Sequence, residues 1–428
     1  MVLRAGKGAR VQGRAWARAL VRADFLIVLL GAGGVLFPGR AGAQDDLRGT
    51  SIRDLPRRGY EPRDIRLGNT VVSIEGTASV AYDSNVFARP TARDDVVFEL
   101  QPRVEATTSS GTSRALTRLY GNIREFAEHG RESSVAFGAS TSGSTAFDRS
   151  NTLFVIAQYD RAIQSRADPE RRAGIVDPPR KIDLLSSEIR FAHRGARFGF
   201  DLAGAVQRSD YLSRLDEDRD LEIYRGSLTG SISLPGAFDL FVEAYVNRRN
   251  FDLARDFSGV DRDATTYGLL IGGRRELSGR LRGRLGLGAF RSEPDDPTLR
   301  PFSGFAANGE LTWSPRPRTV ITFSAFSGDV ATVRAGASGR TDTRLALRLD
   351  QEARHNLIFR VGAAFQDTSF RGASGQKQTT YSGEAEAEYL FNRHLSAFAM
   401  GSYTKRSADR ALDRFKRAVV GLGVRFRY

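Results

Sequence analysis

From Thr70 to Tyr428 the chain runs in stretches of roughly 11–14 residues in which apolar and polar side chains alternate, each closed by a turn rich in Gly, Asp, Asn, Ser or Pro. A period of two sends successive side chains to opposite faces of a strand. The last stretch, "VVGLGVRFRY" (419–428), puts Val420, Leu422, Val424, Phe426 and Tyr428 on one face, and Gly421, Gly423, Arg425 and Arg427 on the other. Inside a soluble sandwich that second face would be buried, at a high cost for unpartnered arginine. A sheet with an apolar outside and a watery inside carries no such cost.

Other runs repeat the pattern. "RLRGRLGLGAF" (280–290) sets Leu281, Leu285, Leu287 and Ala289 against Arg280, Arg282 and Arg284. "TRLALRLD" (343–350) sets Leu345, Leu347 and Leu349 against Arg344, Arg348 and Asp350, and "LIFRVGAAF" (357–365) sets Leu357, Phe359, Val361 and Phe365 against Arg360. "YSGEAEAEY" (381–389) has Tyr381, Ala385, Ala387 and Tyr389 on one side and Glu384, Glu386 and Glu388 on the other. The run lengths suit tilted membrane-crossing strands, which need about 9–11 residues in the bilayer plus overhang.

The connections also sort into two classes. Short ones such as "HRGA" (193–196), "PGA" (235–237) and "NRH" (392–394) alternate with long polar ones at 83–95, 163–182, 211–219, 251–262, 293–302 and 371–378. Short turns at one rim and long loops at the other are expected of an outer-membrane barrel. The count is about 18 strands, an even number that places both chain ends at the short-turn, periplasmic rim; 16 would follow if weak runs such as 134–147 were not strands. The expected fold is an all-β, transmembrane, antiparallel up-and-down barrel spanning 70–428.

Upstream, residues 1–43 carry seven basic residues against the single Asp24, then the apolar "FLIVLLGAGGVLF" and "AGA" before Gln44. This has the layout of a cleaved signal peptide, and the apolar run is too short for the ~20 residues of a spanning helix. Without that segment the net charge falls from +14 to +8. The remaining arginines interleave with Asp and Glu along the chain, which speaks against a nucleic-acid partner. Residues 44–69, rich in Arg, Asp and Pro, read as a polar periplasmic lead-in with no core of its own. With Cys 0, disulfides, thiolate metal sites and cysteine catalysis are absent.

The stretch "GYEPRDIRLGNTVVSIEGTASVAYDSNVFAR" (59–89), with Tyr82, Asp83, Ser84, Asn85, Val86 and Phe87 closing the first strand, resembles the start of the putative β-barrel porin type 2 family of Gram-negative bacteria. "DDVVFELQPRVEATTSSGTSRALTRLYGNIREFAEHGRESS" (94–134) resembles that family's second and third strands. The final Phe426 and Tyr428 resemble the signal that such barrels offer to the assembly machinery. The chain departs from the family at Ser84, where a second acid is common, and in ending on Tyr rather than Phe. The resemblance implies an outer-membrane location among lipid and lipopolysaccharide, and leaves the cargo open.

No nucleophile elbow, zinc-helix motif or phosphate loop occurs, so no enzyme is expected. His129, His193, His355 and His394 are scattered, and no metal or cofactor is expected from them. The acidic loops "RSEPDDPTLR" (291–300) and "RLDEDRD" (214–220) lack EF-hand spacing and read as solvated loops with internal Arg–Asp pairing. The site-like feature is inward charge: a basic group of Arg280, Arg282, Arg284, Arg344, Arg348, Arg360, Arg425 and Arg427, and an acidic row of Glu384, Glu386 and Glu388. Opposed walls of this kind would filter solutes by charge, whereas pairing across strands would not. Loop 163–182 is the expected constriction.

The leading expectation is a porin-like passive channel for small hydrophilic solutes, with some bias toward anions. The alternatives are export of a surface polysaccharide, for which Phe290, Phe398 and Tyr120 are inward aromatics, and a closed structural or adhesive barrel. Oligomeric state is left open.

Overall fold

The computed structural model describes residues 52, 57–172, 177–234, 238–278, 280–372 and 375–428. The signal-peptide reading of 1–43, residues 44–51 and 53–56 of the lead-in and the "PGA" turn lie outside the described residues.

A short β1 (Ile65–Leu67) pairs with the base of β2 (Thr70–Asp83) and stands outside the cylinder. The wall continues through β3 (Asp95–Ser110), β4 (Ser113–Phe126), β5 (Ser134–Ala146), β6 (Asn151–Ile163), β7 (Lys181–Arg194), β8 (Phe198–Tyr211), β9 (Leu221–Leu234) and β10 (Phe238–Phe251). It is completed by β11 (Ala264–Ser278), β12 (Leu281–Pro294), β13 (Phe302–Arg316), β14 (Thr319–Val330), β15 (Ala337–Arg354), β16 (Leu357–Gly372), β17 (Lys377–Leu390), β18 (Leu395–Ala408) and β19 (Phe415–Arg427). Every neighbour is antiparallel, and β19 pairs with β2, so 18 strands close the barrel. The alternative of 16 strands is thereby excluded: the weak run at 134–147 is β5, paired along its length with β4 and β6.

The alternation fixes the register, because a slip of one residue would turn every apolar side chain into the lumen. Val420, Leu422, Val424, Phe426 and Tyr428 all face outward and are exposed, while Arg425 between them is buried inside. Outward aromatics gather toward the two rims: Tyr82, Tyr267, Tyr381 and Tyr403 at the long-loop side, and Phe198, Phe238, Trp313, Tyr389 and Tyr428 at the short-turn side. This is the girdle arrangement of a membrane barrel.

Glycines serve the inner wall by letting aromatic rings lie flat across neighbouring strands. A Cβ on Gly268 would come within 2.1 Å of the Tyr245 ring, and one on Gly304 within 2.6 Å of Phe290. The rings of Tyr245, Phe290 and Phe302 pack with Leu270 and Ala306 into an apolar patch on the inner face of β10–β13.

Candidate functional site: the lumen

The expected inward charges are not two opposed walls. They form one continuous ladder on adjoining strands, from β15 to β2. Asp350 accepts from Arg360 at 2.9 Å, and Arg360 lies 3.6 Å from Glu386. Arg425 reaches Glu386 at 4.0 Å and Glu388 at 2.8 Å, and Arg427 lies 2.8 Å from Glu388 and 3.3 Å from Glu75. Strand β18 does not interrupt the ladder, because its inward Ser396 donates to Glu388 at 2.7 Å. Glu384 makes no ion pair among the described residues. The expectation of a transverse field is corrected by this geometry: opposite charges a few ångströms apart cancel locally.

The other named arginines vary in placement. Arg284 pairs with Glu243 and lies 4.0 Å over the Phe241 ring. Arg344 donates to Asp342 at 2.6 Å. Arg282 and Arg348 are half-buried on inner faces, each with interactions of its own. Arg280 is not pore-lining: it sits exposed in the turn before β12.

Residues 164–172 of the loop between β6 and β7 fold inward and cross the barrel. Glu170 accepts from Thr332 at 2.7 Å and lies 3.6 Å from Arg340, nine strands away on β15. Arg334 donates to the Pro169 carbonyl at 2.9 Å. Arg334 and Thr332 belong to a second inward-folded segment, because β14 leaves β13 beyond the Ala307–Ser327 pair. Near its root the crossing loop is held by Arg180, 2.8 Å from Asp216, and by Arg172 on Asp218. The 214–220 loop does pair internally, Arg219 with Asp216 at 3.3 Å, but its Asp216 and Asp218 are buried under the crossing loop and not solvated as expected.

The "YDSNVF" stretch is a clasp over the β19–β2 closure. Asp83 pairs with Arg417, and Asn85, almost wholly buried, donates to the carbonyls of Arg89 at 2.7 Å and Lys416 at 2.9 Å. Phe87 turns inward, edge-on to His129 at 5.1 Å, and its carbonyl accepts from Arg171 of the crossing loop at 2.8 Å.

The opposite rim is also occupied, which sequence reasoning missed. Ile52 is fully buried against Val320, Ile358 and Leu390, and Arg57 lies 3.1 Å from Glu352. The lead-in thus borrows the barrel's interior as its core. Ile52 is one of several scattered apolar residues in the lead-in, with no period to mark it.

Between these obstructions lies a cavity of about 410 Å³ under the crossing loop. It reaches β5 at the small inward residues Ser134 and Ala136. Gln101, Asn122, Gln207 and Asn247 line it with neutral hydrogen-bonding groups, beside charged ones that include Glu75, Arg103, Arg124, Arg249 and Asp329. Tyr120, whose hydroxyl donates to Asp160, also borders it. Phe290 and Phe398 are inward as expected, but Phe290 packs edge-on to Phe302 at 5.9 Å and Arg425 lies 4.7 Å over Phe398.

Among the described residues the histidines do not converge. His129 lies 3.0 Å from Asp95, His193 stacks on Phe200, and His355 and His394 occupy separate turns. The carboxylates of Asp210, Asp220 and Asp252 do converge on the outer side of the long-loop rim, within 4.8 Å of one another. Arg208 lies beside two of them, 3.0 Å from Asp210 and 3.3 Å from Asp252. In the 291–300 loop, Asp295 pairs with Arg248 at 2.7 Å.

Solved structures similar to this chain include the siderophore receptor PirA of Pseudomonas aeruginosa, at 10% identity over 86% of this chain and 81% of that one, TM-score 0.41. The FrpB iron transporter of Neisseria meningitidis matches at 12% identity over 87% of this chain and 69% of that one, TM-score 0.45. OccK2 (OpdF) of Pseudomonas aeruginosa matches at 13% identity over 84% and 98%, TM-score 0.40. No curated protein sequence matches the chain. The family model described as putative beta-barrel porin 2 matches residues 58–428, and the chain belongs to that family.

Proposed function

We propose that this protein resides in the outer membrane and gives small hydrophilic solutes a passive path, without catalytic turnover. The observation that carries the reading is the cavity under the crossing loop, lined by neutral and charged hydrogen-bonding side chains inside a barrel whose outer face is apolar. Selection would be chiefly by size at the crossing loop. The β15–β2 ladder lends no support to a charge filter, since its charges are already paired. The inward aromatics lend little to polysaccharide export, because the ring faces of Phe241, Tyr245, Phe326, Phe370 and Phe398 each carry an arginine.

A second reading, a closed barrel, is favoured by the obstruction of both rims. Single-channel recording of the full-length refolded protein in a planar bilayer separates the two. A steady open-channel current supports the passive path. Silence from a correctly inserted, heat-modifiable protein supports the closed barrel.

A further inference from the structure

Arginines in this lumen are paired almost as a rule, which makes one group stand out. Arg89 follows the clasp, Arg171 is on the crossing loop, and Arg406 points inward from β18. Among the described residues none of the three has a carboxylate bonded to it. Arg171 donates to the Phe87 carbonyl at 2.8 Å, and Arg406 donates to Thr380 at 2.9 Å and to the Ala167 carbonyl at 2.5 Å. Arg89 is the extreme case: its Nε and Nη2 are buried and have no hydrogen-bond partner.

Arg171 lies between the other two, donating beside Arg89 at the Phe87 carbonyl while Arg406 takes the Ala167 carbonyl of the same loop, and it is close enough to both to be repelled by them. Burial, then repulsion from Arg89, Arg166 and Arg406, pushes Arg171 down to about 10. Arg166, also nearby, is neutralised by Glu132. Asp413 is the acid that offsets Arg171, and it is engaged by Arg334 at 3.7 Å and Gln378 at 3.1 Å; Arg406 also feels Asp168, Asp413 and Asp342, none of which bonds to it. Buried like charges without a directly bonded counter-ion are unfavourable, and buried N–H donors left unpaired add to the cost.

We propose that Arg89, Arg171 and Arg406 form a binding site for a multiply charged oxyanion, with phosphate as the simplest member, under the long-loop rim beside the β19–β2 closure. Guanidinium forks present paired N–H donors that match the oxygens of phosphate, which a spherical halide cannot use in the same way. Arg406 is on the inner face and Arg171 reaches it from inside the lumen, so the anion is a soluble one rather than a lipid headgroup. Bound there, it would join the clasp, the crossing loop and the β18 wall through one counter-ion.

The test is titration calorimetry of the full-length barrel, refolded in detergent, with inorganic phosphate at fixed ionic strength. Saturable binding is expected, weakened at least tenfold by Arg89→Gln and by Arg171→Gln, and unchanged by Arg291→Gln on the outer face. Each variant is first checked for heat-modifiable migration. In phosphate-free buffer Arg171→Gln should raise the unfolding midpoint by relieving repulsion, and in phosphate it should lower it relative to wild type. Equal heats with chloride, or unaltered binding in both cluster variants, would overturn the site. Displacement of phosphate by lipid A micelles would overturn its assignment to a soluble anion.

Discussion

Glu170 on the crossing loop lies 3.6 Å from Arg340 on the far wall of the barrel. This pair is part of what holds the obstruction in place. Glu170→Gln keeps the hydrogen bond from Thr332 and leaves Arg340 on Asp342, so the stability loss should be small, about 1 kcal/mol. The current through the barrel should nevertheless rise and flicker more. Identical single-channel traces for wild type and variant would show that this loop does not limit passage.

Glu388 is the acid at the centre of the ladder, almost wholly buried and within 2.8 Å of both Arg425 and Arg427. Glu388→Gln takes the nearest acid from two inward guanidinia and leaves them only Glu75 and Glu386, each farther away. Removing one member of a buried pair costs about 3–5 kcal/mol. Denaturant unfolding of the refolded barrel should register a loss of that order, and Arg425→Gln added to it should recover part of the loss. A loss below ~1 kcal/mol would mean that the ladder behaves as a surface network.

Asn85 should matter out of proportion to its size. Asn85→Ala leaves the Arg89 and Lys416 carbonyls without their donor and opens the clasp over the closure. We expect a destabilisation of about 1–3 kcal/mol, visible as loss of the heat-modifiable band at a lower temperature. Asn85→Asp, which keeps the acceptor for the Arg89 amide but not the donors, should behave like the alanine variant.

These expectations show what the sequence makes legible. The strands are legible because a period of two is a local property: the run 357–365 announces β16 by itself. Pairing is not local. Arg360, Glu386 and Arg425 each look like wall charges in their own strands, and only register and side-chain reach turn them into a ladder. The same holds for Arg89, Arg171 and Arg406, which lie on three distant segments. Loop 163–182 could be marked as long, and its inward course rests on Glu170 finding Arg340. Ile52 gave no periodic signal at all.

Asp220 sets a pH dependence at the long-loop rim. Desolvation, with added repulsion from Asp210, Asp252 and Glu217, pushes its carboxyl up to about 6 from an ordinary value of 3.8. Between those values the folded protein holds a proton that the unfolded chain has released. Stability therefore falls as pH rises through that window. Asp220→Asn, which keeps an acceptor for the Tyr211 amide, should flatten the unfolding midpoint between pH 4 and pH 6.5. Parallel pH profiles for the two proteins would contradict this assignment.

The clasp has a further consequence, in the order of events during biogenesis. Arg417 meets Asp83 across 334 positions of chain, so the first strand must wait for the last before either has its final neighbour. Until then both edges carry unpaired backbone groups, open to any other strand. The clasp residues come from both ends of that wait, and their engagement marks the moment when the nascent sheet stops being a template for misassociation and becomes a finished cylinder.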